Sequence, residues 1–188
     1  RLAECKSSFT RAVTLDPNFI DARNNLSVIL QELGEIKEAE ATCKQALGMK
    51  PDHPEAHYNL SLTLLHRGRL KEGLAEFEWR WKVAKKLVEN RPFPQPLWDG
   101  QESLEGKRIL LWSEQGIGDT ISWASCLPLV ASLAEHTILE CPEKIVVLLA
   151  RSFPNIEVRP EERSNDSKRD DFDFHLPMGS LYRHFIPH

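Results

Sequence analysis

Long hydrophobic runs are missing from this 188-residue sequence. Its apolar stretches fall far short of the roughly 20 residues needed to span a bilayer, so no transmembrane segment is expected. Positive charge is not in excess either. The 24 Lys and Arg face 28 Asp and Glu, for a net charge of −4 and a pI near 6.0, which gives no electrostatic reason to bind nucleic acid or anionic membrane broadly. Cysteine is sparse: Cys5, Cys43, Cys126 and Cys141 lie far apart with no C-x-x-C pair. That spacing removes the usual zinc and disulfide signatures, leaves no metal site to expect, and reads as buried free thiols in a reducing compartment. The first residues lack a basic, apolar leader, and the expected setting is the cytoplasm. What is present is 41% hydrophobic residues, enough for the cores of one or two compact units.

Internal repetition is the strongest positive signal. Leu26, Leu30, Gly34, Ala39, Cys43, Ala46 and Pro51 recur as Leu60, Leu64, Gly68, Gly73, Phe77 and Arg80 at a constant offset of 34 residues, and backwards as Cys5, Phe9, Ala12 and Pro17. Each position has a physical reason. Gly34 and Gly68 suit the left-handed turn that ends a first helix. Ala39 and Ala46 permit close helix approach, and Pro17 and Pro51 stop the second helices because proline lacks an amide hydrogen. Leu26, Leu30, Leu60 and Leu64 form an apolar stripe at helical spacing. This pattern resembles the tetratricopeptide repeat over residues 1 to about 85. The sequence therefore predicts an α-solenoid of helical hairpins at 1–90, its first repeat truncated to a second helix.

The resemblance implies a concave groove lined by first helices, with a peptide or protein ligand as partner. Asn25 and Asn59 occupy the same place in successive repeats. An asparagine amide both donates and accepts, so such a pair can hold an extended backbone whatever its side chains. The pair is similar to the asparagine ladder of O-linked N-acetylglucosamine transferases, although asparagine is also common there in tetratricopeptide repeats at large. Helical spacing places Asp21, Asn24, Gln31, Tyr58, Leu65 and His66 on the same face. The second helix of the last hairpin is predicted to run on through Phe77-Glu78-Trp79-Arg80-Trp81-Lys82. Trp79 and Trp81, two residues apart, cannot both face inward from one helix.

Composition changes at Arg91-Pro92-Phe93-Pro94-Gln95-Pro96-Leu97-Trp98. Alternate prolines favour an extended path, and residues 91–107 read as a Pro-rich linker. Beyond it, Arg108–Trp112 reads as a buried parallel strand, followed by the loop Glu114-Gln115-Gly116-Ile117-Gly118-Asp119-Thr120 and a helix from Ile121 to about Glu135. Further strands are predicted at Thr137–Cys141, Ile156–Arg159 and Phe172–Leu176, a helix at Pro142 to about Arg151, and a charged loop at 160–171. This is a partial α/β Rossmann-like domain with a parallel sheet, 108–188.

The glycine loop admits three readings. A dinucleotide fingerprint lacks its third glycine at Ile121, though Glu140 lies near the spacing of a ribose contact. A phosphate-binding P-loop is excluded because no Gly-Lys-Ser/Thr follows, and a structural turn stays open. The third reading is a resemblance. Lys107–Leu111, the loop through Asp119-Thr120-Ile121, Leu127-Pro128-Leu129 and Phe172–Leu181 look like the amino-terminal part of heptosyltransferase-type glycosyltransferases, in particular bacterial ones fused to tetratricopeptide repeats. It implies Asp119 as general base and Gly116, Gly118 and Thr120 as acceptor-binding residues. Asp119 also suits a helix N-cap. The donor of such enzymes is a sugar nucleotide held mainly by a second Rossmann-like half. With no cofactor expected in this stretch, it is expected not to catalyse transfer alone. The reading in another class is a non-enzymatic scaffold with a degenerate α/β docking domain.

Overall fold

The computed structural model describes residues 1–83, 90–162 and 168–186. They form two compact units, one holding residues 1–83 and the other the rest. The passage between them, and part of the charged loop expected at 160–171, lie outside the described residues.

The first unit consists of helices α1 (Leu2–Leu15), α2 (Ile20–Glu32), α3 (Ile36–Met49), α4 (Pro54–His66) and α5 (Leu70–Phe77). Gly34 and Gly68 have φ of +75° and +71°, and a side chain at either would meet nothing. They are glycine for backbone conformation, not for space. Asp16 and Lys50 end α1 and α3 in extended conformation just before Pro17 and Pro51, as the clash with a following proline ring requires. Ala39, Cys43 and Ala46 are fully buried, and Cys43 clusters with Leu60 and Leu64 between α3 and α4. At Gly73 space is the issue: a side-chain carbon there would sit 2.8 Å from Leu65 Cγ. Leu65 thus packs over α5 instead of facing a groove. Cys5, expected to be buried, is exposed.

The last helix stops earlier than its sequence suggested. It ends at Phe77 and tightens into a 3-10 segment, Glu78–Lys82. Arg80 is fully buried, its guanidinium 4.6 Å from the Phe77 and Trp81 rings, with Nη1 donating to the Phe77 carbonyl at 3.2 Å. That carbonyl would accept from residue 81 in a continued α-helix. A buried cation has taken its place.

The second unit is built on a parallel sheet of β1 (Arg108–Trp112), β2 (His136–Cys141), β3 (Glu157–Pro160) and β4 (Phe174–Pro177), in the order β3-β2-β1-β4. Ile109, Leu110 and Leu111 are wholly buried, as fits a strand with neighbours on both sides. Helices α6 (Ile117–Trp123), α7 (Leu127–Ala131), α8 (Glu143–Ser152) and α9 (Tyr182–Phe185) complete the unit. The single helix expected from Ile121 to Glu135 is in fact α6 and α7, starting four residues earlier and broken by a 3-10 turn at Ala124–Cys126. Pro128 has no N–H to offer the Ala124 carbonyl, so the ladder cannot run through.

Residues 91–98 are not a free linker. They belong to the second unit, where the Trp98 N–H donates to the His175 carbonyl at 2.9 Å and the His175 N–H to the Pro96 carbonyl at 3.2 Å, pairing Leu97 with His175 beside β4. Extended X-Pro backbone fits a sheet edge, where the missing amide costs nothing. Leu110, Trp112, His175 and Glu140 share one sheet face through their register. Among the described residues that face is met by irregular chain: Phe93 lies 4.8 Å from His175 and 5.2 Å from Phe172 between ring centres, with Arg91 over Phe93.

Candidate functional site

Each unit carries its own candidate site. In the first, α2 and α4 are the opening helices of successive hairpins, and they are joined by amides. Asn59 Nδ2 donates to Asn24 Oδ1 at 2.8 Å, while Gln31 Nε2 donates to the Asn59 carbonyl at 3.0 Å and to Thr63 Oγ1 at 2.8 Å. The partner of Asn59 is therefore Asn24 and not the repeat-equivalent Asn25, which is exposed. One residue along a helix turns the side chain by about 100°, and that rotation decides which asparagine reaches across. Gln31, expected in the groove, is likewise drawn into the joint. Among the described residues, the pairing leaves one amide edge of Asn24 and the side-chain oxygen of Asn59 unspent. Tyr58 is half-buried, its ring 5.9 Å from Phe77, and His66 stands exposed at the end of α4. Asp21 is exposed 3.4 Å from His53 Nε2, and His53 caps α4 by accepting the Ala56 N–H on Nδ1. A histidine N-cap before Pro54 was not legible beforehand, because serine, threonine, aspartate and asparagine dominate that position.

The second candidate lies where the strand order reverses, at the carboxyl ends of β1 and β4. Strands far apart in sequence meet there, the place where open α/β sheets bind their ligands. Asp119 is exposed, in the first turn of α6, with Oδ2 accepting the Gly116 N–H at 3.2 Å. The cap itself is Gly116, because α6 begins at Ile117. Asp119 is thus the third residue of the helix reaching back, and not its N-cap. Gly116 and Gly118 are exposed beside it, and a side chain at Gly118 would meet nothing. Thr120 is fully buried, its hydroxyl within 3.0 Å of Ser113 Oγ and 3.1 Å of the Gly116 carbonyl. It braces the loop and does not reach an acceptor.

Two residues absent from the sequence-based site join the loops. Glu114 is buried and accepts the Gly179 N–H at 2.8 Å. A side-chain carbon on Gly179 would fall 2.3 Å from Glu114 Oε1 and 3.1 Å from the Trp123 ring. Glu140, weighed as a ribose ligand, is fully buried and forms ion pairs with Arg91 at 2.6 Å, Arg169 at 2.7 Å and Arg159 at 3.0 Å. A carboxylate wholly buried among three guanidinium groups is not presented to a ribose, which argues against the dinucleotide reading. Beside it His175 accepts the Trp112 indole N–H at 3.3 Å, and burial, with the Arg91 charge, pushes its pKa down to about 4. Among the described residues no cluster of His, Cys, Asp and Glu is placed to hold a metal ion, and no helix is long and apolar enough to cross a membrane.

Residues 24–79 match the family model of the tetratricopeptide repeat. This stretch is a tetratricopeptide array. Protein FlbA of Caulobacter vibrioides is 32% identical over 156 residues, covering 80% of this chain and 26% of FlbA. The chain therefore spans about a quarter of the length of that curated relative. Among solved structures, TTC0263, a thermophilic tetratricopeptide protein of Thermus thermophilus, is 32% identical over 45% of this chain and 43% of its own, with a TM-score of 0.40. YrrB, described as a tetratricopeptide protein with an unusual peptide-binding site, is 23% identical over 41% of this chain and 40% of its own, with a TM-score of 0.37.

Proposed function

We propose that the tetratricopeptide array holds an extended segment of a partner protein, read through its backbone by the Asn24–Asn59 pair. The observation that carries this is the joined amides with one donor edge and one acceptor oxygen unspent, the complement that a peptide unit offers. In binding assays with an extended peptide ligand, Asn24→Ala and Asn59→Ala should each weaken binding by about 1 kcal/mol, while Asn25→Ala should leave it unchanged. Equal loss from all three would exclude the Asn24–Asn59 pair as the specific backbone-reading contact.

The same reading gives the second unit a task on that segment. It is the Rossmann-like, acceptor-side half of a heptosyltransferase-like glycosyltransferase of the cytoplasm, with the sugar-nucleotide site in a part of the protein outside this chain. The order β3-β2-β1-β4 supports it, since doubly wound sheets begin this way and bind at the reversal point. So does the exposure of Asp119 there. In this mechanism the Asp119 carboxylate takes the proton of an acceptor hydroxyl as its oxygen attacks the anomeric carbon, and the nucleotide departs with the bonding pair. Asp119→Asn in the longer protein should lower turnover by roughly two to four orders of magnitude with donor binding kept, because general-base catalysis contributes about that much. Near-normal transfer would exclude the role. The competing reading is a binding scaffold, and the coil-filled sheet face around Arg91 and Glu140 favours it. A longer protein that binds no sugar nucleotide would decide for the scaffold.

A further inference from the structure

The face of α2 and α4 beside the Asn24–Asn59 pair carries charge of one sign at its ends. Helical rise and rotation put Asp21, Asn25, Val28 and Glu32 in one line on α2, and the repeat-equivalent Glu55, Asn59, Leu62 and His66 in one line on α4. The middle of the face is apolar, with Val28 half-buried and Leu62 36% exposed. At one end two carboxylates from successive repeats close on one buried ring: Asp21 Oδ1 lies 3.4 Å from His53 Nε2, and Glu55 Oε2 lies 3.3 Å from His53 Nδ1. Asp21 still keeps 77% of its side chain in solvent. At the other end Glu32 is exposed as the last residue of α2. The helix dipole disfavours a negative charge there, so α2 itself gives no reason for a carboxylate.

The same helices supply no cation to answer these groups. There is no lysine or arginine in α4, and α2 has only Arg23. That guanidinium is spent inside its hairpin, with Nη2 donating to the Pro17 carbonyl at 2.8 Å and Nη1 to Gln45 Oε1 on α3 at 2.7 Å. Among the described residues no lysine or arginine pairs with Asp21 or Glu32.

We propose that the segment held by the array is basic, with a lysine or arginine on either side of an apolar residue; this rests on its being held by its backbone at the Asn24–Asn59 pair. Asp21 and Glu32 lie about 16 Å apart along α2. An extended segment turns residues i, i+2 and i+4 to one side, the outer two about 13 Å apart, and flexible cationic side chains span the remainder. The outer two meet Asp21 with Glu55 at one end and Glu32 at the other. The middle one meets Val28 and Leu62. An acidic segment would face like charge at both ends, so the face selects by repulsion as well as by attraction.

The test uses this chain and two capped, labelled ten-residue peptides, identical except that one has Lys-Thr-Leu-Thr-Lys at its centre and the other Glu-Thr-Leu-Thr-Glu. In fluorescence anisotropy at low salt the lysine peptide should bind about tenfold more tightly, and the ratio should shrink as salt is added. Asp21→Asn and Glu32→Gln should each lower that ratio about threefold, while Asn24→Ala should weaken both peptides alike. Equal binding of the two peptides, or a ratio that neither carboxylate variant moves, would overturn the basic partner; a loss on both peptides from Asn24→Ala would then still uphold the backbone contact. A lysine preference with no effect of Asn24→Ala would uphold the basic partner and remove the amide contact. Binding of neither peptide would overturn both.

Discussion

His175 shows how one buried side chain couples this molecule to pH. It lies in β4 among Phe93, Phe172 and Trp112, and its Nδ1 is an acceptor for the Trp112 indole. Burial first, and the Arg91 charge second, hold its pKa at about 4 against the ordinary 6.5. Between those values the unfolded chain binds a proton that the folded chain refuses. The stabilising contribution is therefore complete above 6.5 and is lost as pH falls through that window toward 4. His175→Gln, which keeps an acceptor for Trp112, should flatten the acid side of the stability curve over that range. Urea midpoints for the second unit measured across the window provide the check, and an unchanged slope would show that another group titrates there.

At the scale of elements, the β1–α6 loop and the turn after β4 are stapled together. Glu114 accepts from Gly179, and Gly179 has no room for a side chain between Glu114 and Trp123. Gly179→Ala should cost about 1 to 3 kcal/mol, from overpacking and from a lengthened Gly179–Glu114 hydrogen bond; thermal unfolding would register it. The same substitution at Gly118, which faces open space, is the control and should be nearly neutral. Periodicity made most elements legible: the hairpin helices, their glycine turns and proline stops, and the buried parallel strands all have local causes. The ends of two helices differ from the reading of the sequence. Each depends on one group, the Arg80 guanidinium at the Phe77 carbonyl and the missing amide of Pro128, and only the second is written in local sequence.

For the whole molecule, two kinds of order stand in one chain. The first unit is assembled from near neighbours, each helix on the next, so its contacts follow from a 34-residue offset. The second brings together segments far apart in sequence. Arg91 meets Glu140, Arg108 meets Asp173 and Trp98 pairs with His175. This is why residues 91–98 read as a linker and fold as part of a sheet: nothing within ten residues of them reveals the β4 edge they cover.

Within the candidate sites the division runs along the same line. Repeat spacing by itself determined that asparagines stand on the first helices, and the strand–glycine–helix pattern that a carboxylate accompanies the glycine loop after β1, since both are local patterns with local reasons. Only the tertiary structure decided that Asn59 pairs with Asn24, that Thr120 and Glu140 are spent on internal partners, and that Glu114 and Gly179 meet. A side chain's partner is set by helix rotation to within a fraction of a turn and by the packing of distant segments, and neither quantity is carried by the spacing of residues along the chain.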